Sequence, residues 1–163
     1  MINIDNIDVF VFDFDGVLTN NMVYLDQNGK ESVSCNRGDG LAFDVLRKLK
    51  KTAYILSTEK NTVVSARAQK LQISVVQGVE NKVAGIQEII KKENCKIENI
   101  LYMGNDLNDY RVMSICGFTA CPADSHKKIK QISSIVLKTN GGHGIVRELL
   151  EDVLCLDFIE ILY

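Results

Sequence analysis

Short apolar runs alternate along this chain with segments of helical periodicity, and that alternation leaves few folds open. The runs lie near Val9 to Phe14, Ala53 to Ser57, Ile100 to Met103 and Ile135 to Leu137, with shorter ones near Ser74 to Val76 and Phe118 to Ala120. Between them Leu41, Val45, Leu46 and Leu49 form one apolar stripe, Val63, Ala66, Ala68 and Leu71 a looser one, and Val83, Ile86, Ile89 and Ile90 a third. Strands alternating with helices of roughly 10 to 15 residues build βαβ units, so the spacing predicts an α/β fold: a doubly wound parallel sheet covered on both faces. At 163 residues the whole chain, 1–163, reads as one domain. Such a domain buries about 70% of its unfolded surface.

Met22 to Cys35 departs from this pattern. Two alternating runs there, 22–26 and 31–35, flank Gln27-Asn28-Gly29-Lys30, and Asn-Gly between alternating runs is a strong signal for a β-hairpin. The segment is read as a hairpin inserted into the α/β core.

Charge and composition narrow the partners. With 46% hydrophobic and 25% charged residues the chain is of the soluble globular type, and a net charge of -2 argues against nucleic acid or an anionic membrane as a general partner. No apolar stretch approaches the roughly 20 residues that span a bilayer. The N-terminus, with Asp5 and Asp8, does not resemble a signal peptide, so the expected location is the cytoplasm. Cys35, Cys95, Cys116, Cys121 and Cys155 are scattered and form no CxxC pair, and they read as reduced, small apolar residues.

The first run ends in Asp13-Phe-Asp-Gly-Val-Leu-Thr19. Residues two apart on a strand share a face, so Asp13 and Asp15 are expected to converge on one cation. In open α/β sheets ligands bind beyond the carboxyl ends of the strands. The polar residues expected there are Asp13 and Asp15, Ser57-Thr58-Glu59-Lys60, Lys82, and Gly104-Asn105-Asp106-Leu107-Asn108-Asp109. The last set offers several oxygen donors at one turn, the hard-donor chemistry that suits Mg²⁺. Taken singly, Ser57 reads as a helix cap and Lys82 as a solvated surface lysine. The ordered set is far more specific than any of its members.

That ordered set resembles the haloacid dehalogenase superfamily of aspartate-nucleophile phosphatases across essentially the whole chain. DFDGVLT is similar to its first motif, Ser57 of ILST to the second, Lys82 to the third and GNDLND to the fourth. Within the superfamily the chain most resembles the small capless phosphatases of phosphorylated 2-keto-3-deoxy sugar acids, the octulosonate 8-phosphate and nonulosonate 9-phosphate enzymes. DGVLTN, RGDGLAF (37–43), LSTEK, RAQKL (67–71), QGVENK (77–82) and GGHGIVRE (141–148) carry that likeness. The fold also resembles the carboxyl-terminal module of some sialic-acid cytidylyltransferases.

The resemblance implies Asp13 as nucleophile, Asp15 as general acid and then base, and Mg²⁺ held by Asp13, the Asp15 carbonyl and the turn bearing Asn105 and Asp106. It implies Ser57 as a donor to the phosphoryl group, Lys82 as a positive charge beside it, and Asp109 orienting Lys82 or a metal-bound water. Asn105 stands where many relatives carry an acidic ligand, so its metal site has one formal charge fewer. No cap domain fits between Asp13 and Ser57 or between Ser57 and Lys82. The family likeness therefore implies a homotetramer, with hairpins 22–35 packed centrally and each site closed by a neighbour. LSTEK with RAQKL looks like the nonulosonate branch. Thr58 and Glu59 are then expected at the sugar, and Arg67 and Lys70, which share a helix face, at its carboxylate. The expected preference is the nine-carbon 9-phosphate, with the eight-carbon 8-phosphate next. Two other readings are a non-catalytic assembly or regulatory relative, which Asn105 and the cytidylyltransferase likeness suggest, and a phospho-receiver domain. The receiver fits poorly, because its acidic pair and phosphorylated Asp follow different strands.

Overall fold

The computed structural model describes residues 2–163; Met1, the first residue of the expected domain, lies outside the described residues. Six parallel strands form the central sheet: β1 (Val9–Phe12), β4 (Thr52–Ser57), β5 (Ser74–Gln77), β6 (Ile100–Met103), β7 (Phe118–Cys121) and β8 (Ile135–Val136). Their spatial order is β5-β4-β1-β6-β7-β8. The chain thus builds outward from β1 in one direction, then returns to its other side to place β6. The switch point between β1 and β6 is where an open α/β sheet leaves a crevice at its carboxyl edge.

Alternation along these strands makes two cores. Phe10, Phe12, Ile55, Leu101 and Met103 point to one face, and Val9, Val11, Tyr54, Leu56, Ile100 and Tyr102 to the other. The first face is covered by α1 (Gly38–Lys48), α2 (Val63–Leu71), α6 (Ile145–Glu148) and α7 (Phe158–Leu162), through residues such as Phe43, Leu46, Ala68, Val146 and Phe158. The second is covered by α3 (Lys82–Glu93), α4 (Tyr110–Met113) and α5 (Lys127–Ile132), through Ile86, Ile89, Val112, Met113 and Ile129. Because β1 is buried on both sides, its sequence VFVF is apolar throughout rather than alternating. The predicted doubly wound sheet and its three leading helices are present, with strand ends shifted by one or two residues.

Two local expectations are corrected. The first strand stops at Phe12 rather than Phe14, because the Asp13 carboxylate accepts the Phe14 N–H (2.8 Å) and the chain turns away. Phe14–Leu18 then form one wide turn, closed by the Thr19 N–H on the Phe14 carbonyl (3.1 Å), in which Asp15 is extended (φ -74°, ψ 125°) and Gly16 lies at φ 75°. Asp15 reaches the sheet edge from that turn and not by strand alternation. The hairpin is also shorter than its sequence runs: only β2 (Tyr24–Leu25) and β3 (Glu31–Ser32) pair. Its connection runs from 26 to 30, because the Asp26 carboxylate accepts N–H groups from both Asn28 and Lys30 (2.9 Å each) and draws the loop around itself. Val33 packs on the domain's own core, while Met22, Val23, Tyr24 and Leu25 stand in solvent, Leu25 with 65% of its surface exposed.

Asp39, in the first turn of α1, ties the two ends of the chain together. It is 1% exposed, and its Oδ1 accepts N–H groups from Val146 (3.0 Å) and Arg147 (3.4 Å) at the start of α6. Burial pushes its carboxyl up to about 6, with those two amides and Arg67 opposing. An acid whose pKa is higher folded than unfolded stabilises the fold while protonated and loses that contribution as pH rises through the folded value. Relative to Asp39→Asn, the wild type should therefore lose up to about 3 kcal/mol of stability between about pH 4 and pH 7. Urea unfolding of the pair across that range measures it; parallel curves would show that Asp39 does not titrate on folding.

Candidate active site

The crevice at the β1/β6 switch point gathers polar side chains from four strand ends. The Asp13 N–H donates to the Met103 carbonyl (2.9 Å), which fixes the start of the Asp13–Thr19 loop against the end of β6. Asp13 is 4% exposed, and both its Phe14 and Lys82 donors (2.8 Å each) bind Oδ1. Oδ2 is left free. Lys82, at the first position of α3, is 3% exposed and lies between two carboxylates, 2.8 Å from Asp13 Oδ1 and 2.6 Å from Asp109 Oδ1. Asn81 caps that helix through the Val83 and Ala84 N–H groups, so α3 delivers Lys82 at a fixed point.

Asp109 is fully buried and takes four donors. Oδ1 accepts Lys82 Nζ and the Tyr102 hydroxyl (2.8 Å), and Oδ2 accepts the N–H groups of Asn105 (2.9 Å) and Asp106 (3.3 Å). The turn after β6 is thus folded around this one carboxylate. Asn105 lies against the loop from β1: a side chain on Gly16 would overlap its carboxamide, and the positive φ at that position also favours glycine. Thr19 braces the same loop by accepting the N–H groups of Gly16 (3.2 Å) and Asn21 (3.3 Å). A further loop, from the GGHG segment, closes on it from outside: the Gly142 N–H donates to the Val17 carbonyl (2.8 Å), and any side chain on Gly141 would strike the Gly16 carbonyl.

Asp13, Asp15, Asn21, Thr58, Asn105, Asp106, Leu107 and Asn108 line a hollow of about 330 Å³. Burial pushes the Asp13 carboxyl up to about 7, Asp109 adds to the effect, and Lys82 opposes it. Burial would lower Lys82, but its two carboxylate partners outweigh that and raise its pKa. Partial burial, with Glu59 nearby, raises the Asp15 carboxyl. Among the described residues no three His, Cys, Asp or Glu side chains converge as a ready-made metal cage. The donors at the hollow are nonetheless all oxygens: two carboxylates from the first loop, the Asn105 carboxamide and Asp106. That set fits a hard cation held partly by water, as Mg²⁺ usually is.

The structure brings together most of the expected residues. Asp13, Lys82 and Asp109 touch; Asp15, Thr58, Asn105 and Asp106 line the same hollow. Ser57 ends β4, 1% exposed, and its Oγ accepts the Glu59 N–H (3.1 Å), which leaves its own hydrogen free. Glu59 is partly committed, since one oxygen accepts the N–H groups of Lys60 (2.7 Å) and Asn61 (2.8 Å). Arg67 and Lys70 lie elsewhere in the single chain, lining a separate hollow of about 300 Å³ with Arg37 and Asp44, and the Arg67 guanidinium donates to the Asn36 carbonyl (2.8 Å). Tyr102 was not singled out by the sequence. Its only signal there is a phenol in the otherwise aliphatic strand ILYM.

This geometry is that of a known class. The family model for haloacid dehalogenase-like hydrolases matches residues 41–149, and the chain belongs to that family. It is a phosphatase. Asp13 and Asp15 precede the matched segment, so the first-loop carboxylates and the family match are separate observations. The chain is similar to the 3-deoxy-D-manno-octulosonate 8-phosphate phosphatase KdsC of Escherichia coli BL21-DE3, 30% identical over 152 residues, 93% of this chain and 81% of that protein. Among solved structures, the 3-deoxy-D-manno-octulosonate 8-phosphate phosphatase of Yersinia pestis superposes with a TM-score of 0.89 at 28% identity, covering 93% of this chain and 83% of that one. The Moraxella catarrhalis enzyme, in complex with magnesium ion, phosphate ion and KDO, gives 0.88 at 25% identity, covering 93% and 88%.

The buried ion triad yields a stability prediction. Lys82→Met leaves Asp13 and Asp109 facing each other without a cation, and should cost about 3–5 kcal/mol at neutral pH. Part of that loss should return as pH falls, because Lys82 is what holds the Asp13 carboxyl down. Denaturant unfolding at two pH values reads both effects.

Proposed function

We propose that this chain hydrolyses the terminal phosphomonoester of a 2-keto-3-deoxy sugar acid in a Mg²⁺-dependent reaction through an aspartyl-phosphate on Asp13. The observation that carries this is the free Oδ2 of a buried aspartate whose other oxygen is held by Lys82 and a backbone amide. That oxygen has no hydrogen-bond partner among the described residues, which leaves its lone pairs available for nucleophilic attack. It attacks phosphorus as the ester P–O bond breaks, and the leaving alkoxide takes a proton from Asp15. Water then attacks the phosphorus of the aspartyl-phosphate, gives its proton to Asp15, and releases phosphate with the Asp13 carboxylate restored. The raised pKa of Asp15 favours the protonated form that the first step needs. Lys82 and the free hydrogen of Ser57 supply positive charge and a donor at the phosphoryl oxygens. Asp13, the Asp15 carbonyl, Asn105 and Asp106 would hold Mg²⁺, which when bound offsets the repulsion between carboxylate and phosphate.

The eight-carbon octulosonate 8-phosphate is supported as substrate by the relatives named for it. LSTEK and RAQKL support the nine-carbon nonulosonate 9-phosphate, with Glu59 beside Asp15 at the sugar. Asp13→Asn should abolish turnover, and Asp15→Asn should lower it by about 10² to 10⁴. Steady-state assays on both sugar-acid phosphates, with Mg²⁺ and after chelation, decide between them. Wild-type protein inactive on every phosphomonoester would favour the non-catalytic reading, and an Asp13→Asn variant that kept a tenth of the activity would remove the aspartyl-phosphate.

The assembly proposed with this function is a homotetramer built on the hairpin, with each active site closed by a neighbour. Its support is the run Met22, Val23, Tyr24 and Leu25, four consecutive large apolar side chains more than half exposed on a hairpin too small to be stable alone. In such an assembly Arg67 and Lys70, which line a separate hollow in their own chain, would face a substrate bound by the neighbour. Light scattering should give about four times the 18.2 kDa chain mass, and Leu25→Glu should reduce it. A monomeric wild type would rule the tetramer out.

A further inference from the structure

Lys82 and the two turn amides account for three of the four donors on Asp109; the fourth is the Tyr102 hydroxyl. Tyr102 lies on β6, the strand beside β1, and alternation points it to the face where α3 brings in Lys82. It is fully buried, and a buried phenol without a partner would be costly. Burial and the nearby carboxylates of Asp109 and Asp13 raise the phenol's pKa and keep it protonated, so its hydrogen stays available to Asp109 Oδ1.

We propose that Tyr102 is a positioning residue for phosphoryl transfer: its hydroxyl fixes the direction of Asp109 Oδ1 and so holds the Lys82 ammonium between Asp109 and the nucleophile Asp13. The proposal rests on the phosphatase reading above. A carboxylate oxygen takes its donors near the carboxylate plane, and two donors on one oxygen fix its orientation where one does not. The ammonium already lies closer to Asp109 than to Asp13, at 2.6 against 2.8 Å. With the phenol removed, Asp109 Oδ1 has only the ammonium left to offset its charge and draws it further over. Asp13 then loses the cation that opposes its burial, and the phosphoryl group loses the charge set beside it.

Tyr102→Phe tests this with little change of shape. A crystal structure of the variant should show Lys82 Nζ no longer within hydrogen-bond distance of both Asp13 and Asp109; unchanged contacts to both would overturn the proposal whether or not the protein proves to be a phosphatase. In kinetics, kcat/KM should fall about ten-fold, the size expected for one hydrogen bond to a charged group, and equally on a sugar-acid phosphate and on p-nitrophenyl phosphate. Both share the phosphoryl group on which Lys82 acts. The inhibition constant of the unphosphorylated sugar acid should not move, and a parallel rise would mean a loosened cleft instead of a displaced ammonium. Tyr54→Phe is the control. It removes a buried phenol from the same layer, one that donates to Glu93 on α3, and should leave kcat/KM within two-fold of wild type. A Tyr102→Phe enzyme with wild-type kcat/KM, or a Tyr54→Phe enzyme with the same loss, would overturn the assignment. Failure of the phosphatase reading would show separately, as wild-type protein without turnover.

Discussion

The ammonium of Lys82 between Asp13 and Asp109 is the interaction on which the rest of the site depends. It joins the ends of three strands that are far apart in sequence: β1 through Asp13, β5 through the α3 start, and β6 through Asp109. All three groups are almost without solvent, so the arrangement is stable only as a set; any one of the charges alone would be expensive to bury. The second oxygen of Asp109 extends the same set into the backbone of the turn that carries Asn105 and Asp106. Position of the charges and shape of the turn bearing Asn105 and Asp106 are therefore one structural fact.

The sheet order explains why these groups meet at all. Only β1 and β6 flank the switch point, and the carboxylates of the first loop and the donors of the GNDLND turn come from those two strands. Backbone contact then does what side chains cannot. The GGHG loop presses on the Gly16 and Val17 carbonyls, and Gly16 leaves room for Asn105, so the loop bearing Asp15 is held from both sides without a bulky residue intervening. The far end of that brace is anchored by Asp39, which links the start of α1 to the start of α6.

Much of this was legible in the residues. The central runs are strands buried on both faces, and a run like ILYM or VFVF has no polar alternation, whereas the edge strands β5 and β8 are only partly buried. The stripe through Val83, Ile86 and Ile89 is α3, and it is the period of that helix that fixes Lys82 relative to the sheet. The hairpin signal was correct in kind but not in extent, because Asp26 drew two amides to its carboxylate and shortened the pairing. The short C-terminal helices carry weaker periodicity and take their shape from packing on α1. Arg67 and Lys70 share a helix face as their spacing predicts, and within the single chain they line a hollow other than the one Asp13 lines.

By itself the sequence determined the layers, the strands and the identity of the chemical groups at their ends, since these follow from local period and residue type. The tertiary structure decided which groups touch. That Asp15 arrives from a turn and not from a strand, that Lys82 comes from another segment to hold one oxygen of Asp13, and that Tyr102 completes Asp109 are facts about how separate segments meet. Such contacts are set by the twist and order of the sheet and by desolvation of charges as a group, and neither quantity is written in any single stretch of chain.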